Sequence, residues 1–381
     1  MNAAMPPVGP LAGIRVLQIA SLAPGPFAAC MLADMGADVV RVDRLAGAPA
    51  FSSELLGRGQ RSVAVDLKHP AGIDVVLRLV ESAEMLIEGF RPGVMERLGL
   101  GPQVCLGRNP ALVYGRMTGF GQDGPLAKSA GHDINYISLS GALGMIGRAG
   151  QPPTPPLNLV GDFGGGGMLL AFGLMCALVE ARRSGRGQVV DAAMVDGSAL
   201  LMLPFFGPRR SPPSPRGTNL LDSGAPFYDA YEAADGRWVS VGAIEPQFYA
   251  RLIEGLGLDP GSLPAQMDSA SWPEVKRRFS EVFKTRTREE WCKTFEGSDA
   301  CVTPVLDIDE VPDHPHNSGR HAYADVDGVA QPAPAPRFSV TPGSLRRPPP
   351  EIGEHTDEVL AEWAGIDTDA AAELRASGVL R

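Results

Sequence analysis

The sequence predicts an α/β protein with a large Rossmann-like domain, built on a parallel sheet, and a smaller α+β domain. Three observations predict it. Strand-like apolar runs alternate with helical patterns through the first 120 residues. Gly (46) and Pro (35) are abundant while aromatic residues make up only 6%, which favours turns and close backbone contacts over a helical bundle. The length, 381 residues, allows a large core and two domains.

Residues 14–20 read as a strand, and a helix follows over 26–35 with Pro24-Gly25-Pro26 at its start. Residues 38–42 and 62–66 read as further strands, and 71–79 has helical spacing. A short strand at 84–87, a short helix at 94–98 and a strand at 111–117 complete the run. Such alternation implies right-handed crossovers and a sheet covered on both faces. The first crossover holds Ser21-Leu22-Ala23-Pro24-Gly25-Pro26 in place of a G-x-G-x-x-G pattern, which argues against a dinucleotide site. Residues 167–183 are apolar nearly all round and are expected to form a buried helix, followed by a strand at 188–193.

The composition then shifts. The large domain is expected over 1–203, a proline-rich linker over 204–221, and a small domain over 222–331. In the small domain, strands at 227–231 and Trp238–Gly242 precede helices at 247–256, 272–285 and Arg288–Phe295. The helical tail, 332–381, is expected to return to the large domain.

The net charge of −10 argues against nucleic-acid binding, which needs a basic face. Five cysteines show no disulfide, redox or metal spacing, so a reducing, cytoplasmic setting and no metal are expected. Cys30 and Cys176 lie in apolar runs and read as buried small hydrophobes. No signal peptide is evident in the first ten residues, and the C-terminal residues are not a Ser-Lys-Leu type address. The longest apolar stretch, 168–179, is short for a bilayer span, so no membrane is expected.

Candidate chemistry begins at Gly131-His132-Asp133-Ile134-Asn135-Tyr136. One of only six histidines sits there beside a carboxylate, and Asp162 opens the glycine-rich run Gly161-Asp162-Phe163-Gly164-Gly165-Gly166-Gly167. An imidazole and a carboxyl that meet across one pocket suit proton transfer at carbon. Taken alone, a His-Asp pair reads as structural. His69 also reads as structural, His355 as a C-terminal contact, and His314 and His316 as a solvated loop. Arg44, Arg58, Arg61, Lys68 and Arg91 fall at or near the ends of predicted strands. Each singly reads as solvated surface. As a cluster at the carboxyl edge of a parallel sheet they suit an anionic, phosphate-bearing ligand.

Further blocks join these: Leu157-Asn158-Leu159-Val160-Gly161-Asp162-Phe163, Val190-Asp191-Ala192-Ala193-Met194, Val241-Gly242-Ala243-Ile244-Glu245 and Asp299-Ala300-Cys301-Val302-Thr303-Pro304. In this order the blocks resemble the family III CoA transferases (CaiB/BaiF-like), and within that family the α-methylacyl-CoA racemase branch. The resemblance runs from about residue 10 to residue 365.

It implies racemisation of 2-methylacyl-CoA thioesters through an enolate. His132 and Asp162 would be the acid/base groups on opposite faces of the α-carbon, with Glu245 hydrogen-bonding His132. Gly131, Asp133, Ile134, Asn135 and Tyr136 would line the acyl-CoA site, Asp133 acting through its backbone at the thioester oxygen rather than through its carboxylate. Arg44 and Arg91 would grip CoA phosphates, and Ala64, Val65, Asp66, Leu67 and Lys68 would lie along the adenosine. Apart from the CoA ester itself, no cofactor is implied. An interlocked homodimer is, with each site shared between subunits. Met145 and Met194 are candidates to line a permissive acyl surface, and core packing fits them equally.

Two rivals stand beside this reading. A family III CoA transferase would use Asp162 as a nucleophile through an acyl-enzyme anhydride. A non-catalytic paralogue would only bind acyl-CoA. His132 separates the first, because transferases of the family generally lack a histidine there; the intact His132, Asp162 and Glu245 argue against the second.

Overall fold

The computed structural model describes residues 9–46, 54–206, 215–326 and 328–381. The first eight residues and the middle of the expected linker, 207–214, lie outside the described residues. The chain divides into two compact units. The first comprises Met1–Ser140, Leu157–Phe206 and Tyr323–Arg381, and the second Gly141–Pro156 and Gly207–Ala322.

The first unit is built on six strands: β1 (Arg15–Ile19), β2 (Asp38–Asp43), β3 (Arg61–Ala64), β4 (Met85–Glu88), β5 (Val113–Thr118) and β6 (Val189–Ala193). They pair in the order β3-β2-β1-β4-β5-β6, and every pairing is parallel. The α/β class is therefore as the sequence predicted. Residues of β3, β4 and β5 are buried throughout, as a sheet covered on both faces requires. One face packs on helix Pro70–Glu81 and on the tail, whose Val359, Leu360, Trp363 and Leu380 join the same core. The other face carries helices Pro24–Asp34 and Leu169–Ser184. Helix Pro70–Glu81 starts where Pro70 removes an amide that has no helical partner, and the His69 imidazole accepts the Ala71 amide. His69 is thus a cap, as its sequence context suggested.

Sequence periodicity missed several elements. A π-helix, Leu159–Met168, runs directly into helix Leu169–Ser184. A hairpin of β10 (Tyr323–Val326) and β11 (Val329–Pro332) belongs to the first unit. It is held there by Gln331, whose side-chain oxygen accepts from Arg58 at 2.8 Å.

The second unit holds the antiparallel sheet β7 (Tyr228–Glu232), β8 (Trp238–Gly242) and β9 (Val302–Val305). Helices Pro246–Leu256, Trp272–Phe283 and Arg288–Phe295 pack on it around Phe279, Phe283 and Trp291. Residues 141–156 group with this unit. Arg148 forms a two-pronged bond to Asp229, and Arg216 donates to the carbonyls of Gly144 and Gln151.

One expectation fails on burial. Helix Leu169–Ser184 buries Leu170, Leu174, Ala177 and Leu178 against the sheet, yet Phe172 is 66% and Val179 67% exposed. Cys176 is exposed with them, not a buried hydrophobe, whereas Cys30 is buried and its thiol pushed up to about 12 by burial. The continuous run Leu159–Ser184, 26 residues, is long and apolar enough to cross a membrane by length and composition alone. Its sheet-facing stripe packs in the core of the first unit and its opposite stripe is bare.

Candidate active site

In an open parallel sheet, ligands bind off the carboxyl ends of the strands, at the point where strand order reverses. Here that point lies between β1 and β4. A cavity of about 280 Å³ sits there, walled by Ala23 and Pro24 beyond β1, Gly89 to Pro92 beyond β4, and Thr118 to Phe120 at the end of β5. Gly131, His132, Tyr136, Asp162 and Met194 also line it. The structure thus brings His132 and Asp162 to one cavity, together with Arg91.

His132 is the N-cap of helix Asp133–Leu139 and is exposed to the cavity mouth. Its amide donates to the Asn135 side chain at 3.0 Å. Behind it lies Tyr136, 6% exposed, whose hydroxyl donates to the Gly131 carbonyl. The Tyr136 ring meets Phe120 edge-on at 5.0 Å. It also fills the space above Gly119, where an added Cβ would stand 2.2 Å from the ring. Tyr136 therefore anchors the peptide that precedes His132.

Asp162 rides the first turn of the π-helix, a geometry frequent at functional sites. It is partly buried and accepts from the Asn158 side chain at 3.1 Å. Burial pushes its carboxyl above the usual carboxylate range, and the charge of Asp133 adds to this. The Asn158 hydrogen bond and His132 oppose it. The shift runs in the direction that brings a carboxyl closer to an imidazole in basicity. The glycines beyond Asp162 serve packing: a Cβ at Gly165 would lie 2.5 Å from the Ser198 amide nitrogen, on helix Met194–Leu201.

A raised carboxyl binds its proton more readily folded than unfolded, so carrying the ionised form costs stability above its folded pKa. Asp162→Asn is accordingly expected to melt higher than the parent protein at neutral pH. The gain should shrink as pH falls toward the ordinary carboxylate range. A melting point equal or lower at every pH would contradict the assignment of the shift.

Asp133 departs from the sequence expectation. Its carboxylate is buried, and Oδ2 accepts the Asp162 amide at 2.7 Å. The side chain, and not the backbone alone, is built into the site. Ile134 and Asn135 are exposed on the same helix start.

The expected cation cluster separates into two groups. Arg91, at the cavity, and Arg44 and Lys68, past the ends of β2 and β3, are exposed. Arg58 is consumed by Asp34, Gln331 and the Pro332 carbonyl. Arg61 is consumed by Asp38, Glu358 and Glu362. These two are structural ties and leave the anion cluster. Ala64 and Val65 are buried, and Val65 bridges Leu380 while the Asp66 amide donates to Val379. Of that stretch, Asp66 and Leu67 are half-buried and Lys68 is exposed.

In the second unit, Glu245 is the exposed N-cap of helix Pro246–Leu256. That unit has its own cavity of about 730 Å³, lined in part by Met145, Tyr228, Val241 and Cys301.

Residues 11–356 match the family model for CoA-transferase family III. The chain belongs to this family. Within CoA-transferase family III, it is 50% identical to α-methylacyl-CoA racemase of Mus musculus and 48% identical to that of Homo sapiens, each over 97% of both chains. It is 29% identical to the succinyl-CoA–L-malate CoA-transferase β subunit of Chloroflexus aurantiacus, over 97% of this chain and 98% of that one. Among solved family structures, a hypothetical protein of Mycobacterium tuberculosis superposes with TM-score 0.78 at 28% identity, over 93% of this chain and 100% of that one. A CaiB/BaiF protein of Brucella suis shares the fold with TM-score 0.80, over 93% of this chain and 100% of that one.

The family signal was legible in the His132 and Asp162 blocks. Sequence reasoning missed Asn158, Tyr136 as an anchor, and the carboxylate of Asp133. Asn158 stands four residues before Asp162, and that spacing was the available clue.

Proposed function

We propose that this protein racemises 2-methylacyl-CoA thioesters by moving the α-proton off one face and back to the other. The observation that carries the reading is the convergence of His132 and Asp162 on one cavity at the switch point of the sheet. One group removes the α-proton and leaves an enolate. The other, protonated, returns a proton from the opposite side. Each such transfer supplies roughly 10²–10⁴-fold. The Asp133 amide, in a first helical turn and so without an intrahelical acceptor, would hold the enolate oxygen. This chemistry calls for no cofactor beyond the CoA ester. Relatives named α-methylacyl-CoA racemase at 50% and 48% identity support the substrate class.

His132 favours this reading over CoA transfer. The test is optical: a single enantiomer of a 2-methylacyl-CoA, incubated without any acceptor acid, is expected to lose its optical purity. Retained purity, with CoA exchange only after a carboxylic acid is added, would establish the transferase instead.

Arg44 and Arg91 are proposed to meet the CoA phosphates. Losing one charged hydrogen-bond partner costs roughly 1.5–3 kcal/mol, so Arg91→Ala is expected to raise KM for the CoA ester about tenfold or more. The matching short-chain pantetheine-free thioester should show no such rise. Equal effects on both thioesters would remove Arg91 from phosphate binding.

We also propose a homodimer. The bare stripe of Phe172, Cys176 and Val179, with Leu200, Leu201 and Leu203 also exposed, is the kind of apolar face that a second copy covers. Light scattering should return about twice 40.1 kDa. A mass of one chain would contradict this.

A further inference from the structure

Asp133 belongs to the segment that carries His132, yet its side chain reaches the segment that carries Asp162. It is 6% exposed. Its Oδ2 accepts the Asp162 amide at 2.7 Å, across 29 residues of sequence. Its Oδ1 is buried and meets no donor among the described residues. Gly161 shows how closely the two segments are joined. A Cβ there would lie 2.4 Å from Asp133 Oδ2 and 2.7 Å from its Cγ, so no side chain fits between them.

A single amide donor does not need a charged acceptor. A neutral side-chain carbonyl would satisfy it, and a buried carboxylate oxygen without a donor is costly. What the charge adds is repulsion toward the Asp162 carboxylate, in surroundings that screen it poorly. Repulsion of that kind disfavours the ionised form of Asp162 and makes it the stronger base.

We propose that Asp133 is a positioning residue for Asp162: its carboxylate ties the π-helix turn to the helix start behind His132, setting the spacing of the two acid/base groups and placing a negative charge beside one of them. The proposal rests on the reading of Asp162 as an acid/base group. It assigns the side chain of Asp133 a duty separate from that of its backbone amide.

Two substitutions separate tether from charge. Asp133→Asn keeps an oxygen acceptor for the Asp162 amide and removes the charge. Asp133→Ala removes both. The measurement is α-hydrogen exchange with deuterated water as a function of pH, starting from each enantiomer separately, with melting points recorded for every variant.

In Asp133→Asn, the acidic limb is expected to move to lower pH for the enantiomer that Asp162 deprotonates, and to stay in place for the other. In Asp133→Ala, kcat is expected to fall roughly 10- to 100-fold, as small misplacements of a reacting group do, with KM changed much less. Limbs unmoved in both directions in Asp133→Asn would overturn the proposal. So would a loss that falls equally on both enantiomers and tracks a lowered melting point. Asp162→Asn serves as the control. If it still exchanges both enantiomers, the functional reading itself fails. If it loses exchange of one enantiomer while both Asp133 variants behave as the parent, only the tether fails.

Discussion

Replacing His132 by alanine is expected to lower the racemisation rate by roughly 10³-fold while acyl-CoA affinity changes little. The imidazole stands at the mouth of the cavity as the cap of a short helix, and its side chain supports no core. The variant should therefore fold and melt like the parent. Its loss belongs to the chemical step, so kcat falls and KM stays near its starting value. Asp162 remains in place, and one direction of proton removal survives in principle. Without a group on the opposite face, however, that proton returns to the side it left. Exchange without inversion, from one enantiomer only, is the signature to look for. Full racemisation in this variant would mean that another base serves the second face.

The second large effect concerns stability. Arg116, on β5, donates from Nε to Glu88 at 3.0 Å, and Glu88 on β4 is fully buried. Arg116 also pairs with Glu96 at 2.9 Å. The other Glu88 oxygen accepts the Phe90 amide at 2.7 Å, immediately before Arg91. Burial pushes the Glu88 carboxyl above its ordinary range, against the pull of Phe90 and Arg116. Arg116→Met removes the compensating cation and leaves a carboxylate inside the protein. Breaking a buried pair in this way costs about 3–5 kcal/mol. Removing both charges, in Arg116→Met with Glu88→Gln, should recover part of the loss, because the stranded charge goes too. Thermal unfolding of the single and double variants checks the order. A double variant less stable than Arg116→Met would contradict the assignment.

Much of the fold was legible because a parallel sheet writes itself as apolar runs. Trp238–Gly242 and Arg288–Phe295 appear with the bounds read from sequence, the latter because Thr287 and Glu290 cap it reciprocally. The π-helix was not legible, since Gly161 and Gly164 to Gly167 offer no side-chain period to read. The same limit governed the cations. Arg58 precedes β3 and Arg61 opens it, unlike Arg44 past the carboxyl end of β2, and their partners Gln331 and Glu358 lie 273 and 297 residues away. Nothing local marks a guanidinium as already spent. Asp133 shows the same effect at shorter range. Beside His132 its charge looked incidental, and only folding brings the Asp162 amide to it. The outer stripe of helix Leu169–Ser184 misled in another way. Apolar residues all round a helix predict burial on every face, and here only the sheet-facing stripe is buried.

In the proposed mechanism, two groups in one cavity move a proton across the α-carbon. Deuterium incorporation measures it most directly. Each enantiomer of a 2-methylacyl-CoA is incubated separately in deuterated water with no acceptor acid, and the product of the first turnovers is examined. Deuterium is expected at the α-carbon of the inverted product from both starting enantiomers. An α-carbon that keeps its protium and its configuration in both incubations would contradict it.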